Sequence, residues 1–352
     1  MSHRLIFTNN TQLNNTNYIS GSGVGAVSAS SRAALKRRSN VNATTGLKCC
    51  DKFKDYIHFV AVADSGSGNR VMTSYDGITW TSQASAADNH WWSVTYGNNL
   101  FVAVAITGIG NRVMTSPDGI NWTTQAPAAD NNWTFVTYGN DLFVAVADSG
   151  VGNRVMTSSN GIDWTLRASA ADISWVSVTY GNGLFVAVAD SGDVNRVMTS
   201  SNGIDDWTLR ASTATNKWES VIYGNGLFVA VAETGIGNRV MTSSNGINWF
   251  PQTSAADNSW RSVTYGNGLF VAVAYSGGTG TRVMTSPNGT TWSLQASAPN
   301  NDWRSVTYGN NLFVAVAFSG TGNRVMTSPD GITWTPRTSA SDNAWWSVTY
   351  RP

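Results

Sequence analysis

A chain of 352 residues with 34 Gly and 16 Trp, but only 12% charged residues, fits an all-β protein with many tight turns. No stretch approaches the roughly 18 consecutive apolar residues of a membrane span. The two cysteines, Cys49 and Cys50, are adjacent, which excludes a disulfide-dependent body and points to a reducing compartment.

The net charge of +1 conceals an asymmetry along the chain. Residues 1–50 hold no Asp or Glu and six basic residues, leaving 16 basic against 21 acidic for the rest, a net of −5. Residues 1–55 are therefore read as a basic, flexible tail rich in Gly, Ser and Asn, and 56–352 as the folded body. Within the tail, Arg32, Lys36, Arg37 and Arg38 are candidates for electrostatic contact with an acidic surface, nucleic acid or another copy of the chain. The start, MSHRLIFTNNTQLNN, has no apolar core, so a secretory signal is not expected.

The body is a tandem array. Arg-Val-Met-Thr-Ser begins at Arg70, Arg112, Arg154, Arg196, Arg239, Arg282 and Arg324, at intervals of 42 or 43 residues. The doubled Asp205-Asp206 and the longer loop from Tyr275 to Thr281 account for the longer intervals. One unit reads Trp133–Tyr138, a Gly-Asn turn, Leu142–Ala147, a loop, Arg154–Ser158, an Asn160-Gly161 turn and Ile162–Thr165. That predicts four strands, a to d, each bounded by Gly, Asn or Asp, and no helix. Segment b is apolar throughout, as in a strand covered on both faces.

The first unit begins at segment b, Phe59–Ala63, and the chain stops just after an unpartnered a segment, Trp345–Tyr350. The expected fold is a seven-bladed β-propeller of four-stranded blades, in which the C-terminal strand completes the N-terminal blade and closes the ring.

The c–d turns, from Ser74-Tyr-Asp-Gly-Ile-Thr-Trp80 to Ser328-Pro-Asp-Gly-Ile-Thr-Trp334, resemble the Asp-box of sialidase-like propellers. The resemblance implies a turn stapled by Ser, Asp, Gly and Trp. Two departures stand out: the Asp–Gly spacing is one residue shorter, and Asn160, Asn202, Asn245 and Asn288 replace Asp. Asp-boxes occur in enzymes and non-enzymes alike, so function does not travel with them. The tail from Tyr18 through Arg38 to Cys49-Cys50 is similar to N-terminal segments of giant algal-virus proteins. That likeness implies a virus-encoded, virion-associated protein, with a cytoplasmic or virion location.

A sialidase-type site would need an arginine triad, a Tyr–Glu pair and an acidic proton donor. The arginine series recurs in every unit and is expected to pair with Asp88, Asp130, Asp172, Asp257 and Asp342 as structure. The Tyr row reads as packing, as does His58, and no carboxylate is singled out. No metal-ligand cluster or phosphate loop is found, so no catalytic residue, metal or cofactor is assigned.

Three positions vary against this nearly invariant scaffold. The residue after strand b is Asp64, Ile106, Asp148, Asp190, Glu233, Tyr275 or Phe318. The residue before the a-strand Trp is His90, Asn132, Ser174, Lys217, Ser259, Asp302 or Ala344, and the one after it is Trp92, Thr134, Val176, Glu219, Arg261, Arg304 or Trp346. Because strands alternate in direction, the b–c and d–a loops share one end of the propeller. That face is expected to carry an acidic arc (Asp64, Asp148, Asp190, Glu233) and an arc of Tyr275, Phe318, Trp92 and Trp346, with Arg261 and Arg304 as further anchors. Trp92 and Trp346 either stack on a ligand or fill the seam of ring closure. These features favour a non-catalytic interaction or structural scaffold with a protein partner or self-assembly. A multivalent lectin and a sialidase-like glycosidase are the alternatives, and nucleic acid is expected only through the tail.

Overall fold

The computed structural model describes residues 56–297 and 299–352, and every regular element in them is a strand. The strands form seven antiparallel sheets of four, as the repeat predicts. In the second blade they are a (Trp91–Gly97), b (Leu100–Ala105), c (Val113–Ser116) and d (Thr123–Gln125). Each a strand packs against the a strands of both neighbouring blades, and the series closes on itself. The a strands thus wall a central channel, and the three-residue d strands lie outermost.

Local chemistry dictates each piece. The a–b turn places Asn98 and Asn99 at φ 46° and 58°, the left-handed pair that a two-residue hairpin turn requires. Strand b is buried at every position from Phe101 to Ala105, because one face meets each adjacent blade. The d strands are mostly exposed, and such short edges offer little template for pairing with another chain.

The core lies between blades. Val186, Val188 and Val197 of one blade meet Trp218, Phe228, Ala230, Met241 and Trp249 of the next, and equivalent clusters recur around the ring. The a-strand tryptophans are fully buried in all seven copies. Gly97 shows how close the fit is: a Cβ there would lie 2.1 Å from the Tyr138 ring of the following blade. The Tyr row is therefore packing, each ring also tilting against its own blade's Phe, as in Tyr138 and Phe143 at 4.6 Å.

Closure follows the expectation. Strand Trp345–Tyr350 pairs antiparallel with Phe59–Ala63, Phe59 opposite Tyr350 and Val62 opposite Ser347. Val314, Val316 and Val325 of the last blade pack on Phe59, Met72, Trp80 and Trp345 of the first. His58 packs at this seam, stacked on Tyr350 with centroids 6.0 Å apart and with Nδ1 3.2 Å from the Arg351 carbonyl.

Ser, Asp, Gly and Trp staple the c–d turns. Gly77 N–H donates to Ser74 Oγ at 2.8 Å, Ile78 and Thr79 N–H donate to Asp76 Oδ1 at 2.8 Å, and Trp80 Nε1–H donates to the Gly77 carbonyl at 3.0 Å. Asn160 accepts the same two backbone bonds at 2.9 Å, which explains why Asn substitutes for Asp.

The arginine row is structural, with a shift of emphasis from the expected ion pairs. Arg70 Nε donates to the Gly66 carbonyl at 2.9 Å, and Nη1 donates to the Asp64 and Asn89 carbonyls at 2.6 and 2.9 Å. Asp88 stands 3.6 Å from Nε and spends its carboxylate on Gly68 N–H at 2.7 Å. The row binds loop backbone first and aspartate second. Arg196 departs from the pattern, bonding the carbonyls of Asp190, Gly192, Asp193 and Asn216.

Candidate ligand site at the propeller centre

Every a strand carries a β-bulge immediately after its buried tryptophan. In the second blade Trp91 pairs with Ala105 and Ser93 with Val104, so Trp92 is the unpaired extra residue. The same slip occurs in the other six blades. A bulge frees one side chain from the alternation of the sheet and re-aims it. The bulge residues are Trp92, Thr134, Val176, Glu219, Arg261, Arg304 and Trp346, and all seven line one cavity of about 50 Å³ at the end of the channel. The row after strand b joins it at the same end. Asp64 N–H donates to the Ala344 carbonyl, Asp190 N–H to Ser174 and Phe318 N–H to Asp302, at 2.9–3.2 Å. The three variable rows therefore share one face.

Beneath the bulges a ring of serines links the blades. Ser93, Ser177, Ser220, Ser262, Ser305 and Ser347 each accept through Oγ from a backbone N–H of the next blade at 3.1–3.2 Å. Phe135 breaks this girdle, and Thr134 takes over by donating through Oγ1 to the Trp175 carbonyl at 2.6 Å. Below the serines, a second space of about 190 Å³ is lined by the Val and Thr rows, Val94 and Thr95 among them.

Above the girdle the symmetry disappears. Trp92 and Trp346 stack at 4.4 Å with planes 13° apart, so the two tryptophans beyond the repeat do meet at the closure seam. Trp346 Nε1–H donates to Asp64 Oδ2 at 2.6 Å. Asp64 therefore leaves the expected acidic arc and belongs to the aromatic sector, since an indole N–H at that position recruits its carboxylate. Phe318 meets the Trp346 ring edge-on at 6.0 Å. The Arg304 guanidinium sits 4.6 Å from Tyr275, 4.7 Å from Trp346 and 5.0 Å from Phe318, and Arg261 lies 5.3 Å from Trp346.

The remaining acids face this sector. Burial pushes the carboxyls of Asp148 and Asp190 up, and the Asp190 charge adds to the push on Asp148. Glu219 is ion-paired to Arg261 across neighbouring blades, with its side chain only 2% exposed. Burial raises its carboxyl to about 7 despite Arg261, helped by the charges of Asp190 and Glu233. Burial opposes ionisation of Glu233 too, but interactions with Tyr275 and Glu219, together with the charges of Lys217 and Arg261, hold it below the ordinary carboxylate range. Lys217 lies 3.9 Å from Glu233.

Of the sequence candidates on this face, Trp92, Arg261, Arg304 and Trp346 line the cavity, and Asp64, Tyr275 and Phe318 touch those residues. The residue missed is Glu219, because no carboxylate was expected to stand apart. Its signal was an acid in a row whose other members are aromatic, aliphatic, hydroxyl or basic. The tail candidates Arg32, Lys36, Arg37 and Arg38 lie outside the described residues. Among the described residues, no group of three or more His, Cys, Asp or Glu is placed to hold a metal, and no helix is long and apolar enough to cross a membrane.

Fold and centre together define a seven-bladed β-propeller whose copies differ chiefly at one axial opening. Solved structures share this architecture. A streptogramin B lyase superposes with a TM-score of 0.64 at 10% identity, over 83% of this chain and 91% of that one. Virginiamycin B lyase from Staphylococcus aureus gives 0.60 at 12% identity over 71% and 85%, and YCF48 bound to D1 peptide gives 0.53 at 15% over 71% and 81%. At such identities the likeness is one of fold. No family model and no curated protein matches the sequence.

Proposed function

We propose that the chain is a non-catalytic interaction module that engages a partner through the b–c/d–a face. The observation that carries this reading is the convergence of all seven bulge residues on one cavity, where near-identical blades become unlike one another. Aromatic and arginine side chains in a partly desolvated centre are the usual anchors of recognition. Two of the similar folds are named as lyases and one is bound to a peptide, so the architecture accommodates both catalysis and binding.

A catalytic reading has one specific support: Glu219 is poised as an acid near neutrality beside an ionised Glu233 and Tyr275. Geometry weighs against it. Two-carboxylate glycoside hydrolysis sets the carboxyl groups about 5–9.5 Å apart, whereas Glu219 is held in an ion pair with Arg261. The cavity of about 50 Å³ is also far below the roughly 300 Å³ of the smallest ordinary ligand pockets. A fluorogenic glycoside panel is expected to show no turnover, and a glycan array no binding.

The interaction reading is tested by affinity capture with the full chain, read by mass spectrometry against a variant carrying Asp148→Lys and Asp190→Lys. Partners held by the natural chain and lost by the variant are expected. Identical capture by both would remove this face from the function. The basic tail is proposed as an electrostatic tether, and a particle size unchanged between low and high salt would rule out tail-driven assembly.

A further inference from the structure

We propose that the axial cavity is a receptor for a carboxylate, with Arg304 as its cationic anchor. The proposal rests on the interaction reading above and names the chemistry of the group that enters.

Among the described residues, Arg304 is the cation of this centre that no ion pair holds, the charges of Asp302 and Glu219 acting on it only from a distance. Arg261 is ion-paired to Glu219, and Lys217 lies beside Glu233. The nearest acid in sequence, Asp302, accepts instead from Arg282 Nη1 at 3.1 Å. Arg304 Nε is buried with no hydrogen-bond acceptor, and so is Trp92 Nε1, and both residues line the cavity. Two buried donors left unpaired beside one small space are costly, at about 1–3 kcal/mol each, unless a side-chain shift that admits a ligand pairs them. Three aromatic rings hold the guanidinium in place. Such rings stabilise its charge but accept none of its in-plane N–H bonds.

The ligand class follows from charge, shape and volume. One uncompensated cation matches one negative charge, and the surrounding carboxylates would repel a dianion such as phosphate. A guanidinium fork fits the planar two-oxygen edge of a carboxylate. A cavity of about 50 Å³ admits the end group of a ligand and leaves its body on the face above. The carboxylate therefore belongs either to an extended chain, as a peptide side chain or terminus, or to a small free acid.

The test uses the full chain, trifluoroacetate as a fluorine-NMR probe, and competitors. These are acetate, acetyl-Gly-Gly-Asp-amide, acetyl-Gly-Gly-Gly with a free terminus, and neutral acetyl-Gly-Gly-Asn-amide. Saturable broadening of the probe is expected, weakened roughly ten-fold or more by Arg304→Met, with the neutral peptide inert. Displacement about ten-fold better by the acidic peptides than by acetate assigns the carboxylate to an extended chain. Equal displacement assigns it to a small acid. Trp92→Phe, which deletes the second open donor and keeps a ring, is expected to weaken binding in the same direction and serves if Arg304→Met fails to fold. Absence of saturable broadening, or broadening unchanged in both variants, overturns the proposal. If Arg304→Met still captures the partner lost by the Asp148/Asp190 double variant, the carboxylate receptor fails while the interaction reading stands.

Discussion

Glu219 illustrates how far one side chain can be moved from its ordinary chemistry by its place in the ring. Its carboxyl stands at about 7 in the fold against 4.5 as a free group, so the folded protein holds that proton over a range in which the unfolded chain has released it. Folding stability contributed by Glu219 is therefore present below pH 4.5 and lost as pH rises toward 7. Chemical denaturation of Glu219→Gln across that window should remove a slope worth on the order of 3 kcal/mol from the natural profile. A profile identical to the natural one would show that the acid titrates normally. The serine girdle makes a second prediction at this scale. Ser177 is fully buried and accepts from Val221 N–H at 3.2 Å. Ser177→Ala leaves that N–H unpaired and should cost about 1–3 kcal/mol in urea unfolding. The variable row was legible in the sequence, but its meaning was not. Nothing in Trp-Glu-Ser-Val-Ile-Tyr announces that Glu219 is a bulge residue, because a bulge is defined by the partner strand.

Turns and strands were far more readable. Apolar runs of six, Gly-Asn hairpin signals and the recurrent Ser-x-Asp/Asn-Gly turn carry their own physics within a dozen residues, and the observed elements follow them. The c–d turn also gives an acid-side prediction. Burial opposes ionisation of Asp118, but backbone N–H donors of Asn121 and Ile120, the Asn121 amide and the Ser116 hydroxyl outweigh it and hold the carboxyl at about 2 against 3.8. That turn's contribution is complete above pH 3.8 and is lost as pH falls toward 2. Asp118→Asn should fold at neutral pH with little loss, since four copies already use Asn, and should shed this acid sensitivity in a thermal melt. A melt that stays as acid-sensitive as the natural chain's would dissociate the turn from the effect. The arginine row was read correctly as structure but with the wrong leading partner. A carboxylate can be guessed from sequence, whereas convergent loop carbonyls such as those of Asp64, Gly66 and Asn89 cannot.

The ring as a whole depends on one strand that travels the length of the body to finish the first blade. Trp345 is fully buried there and packs with Phe59, Met72 and Trp80. Trp345→Ala should cost about 3–5 kcal/mol, and a chain lacking residues 345–352 should show no single cooperative transition when its melt is followed by circular dichroism. A truncated chain melting like the full one would mean that closure contributes little. The sequence by itself determined the blade count, the four-strand unit, the buried rows and the closure, because each is a local pattern repeated at a fixed interval. Only the tertiary structure decided that seven bulges converge on one axis, that Glu219 pairs with Arg261, and that Arg304 stands outside every ion pair among the described residues. Those facts arise from side chains about 40 residues apart brought to a common centre by the ring, and charge, burial and pairing there are set by neighbours in space.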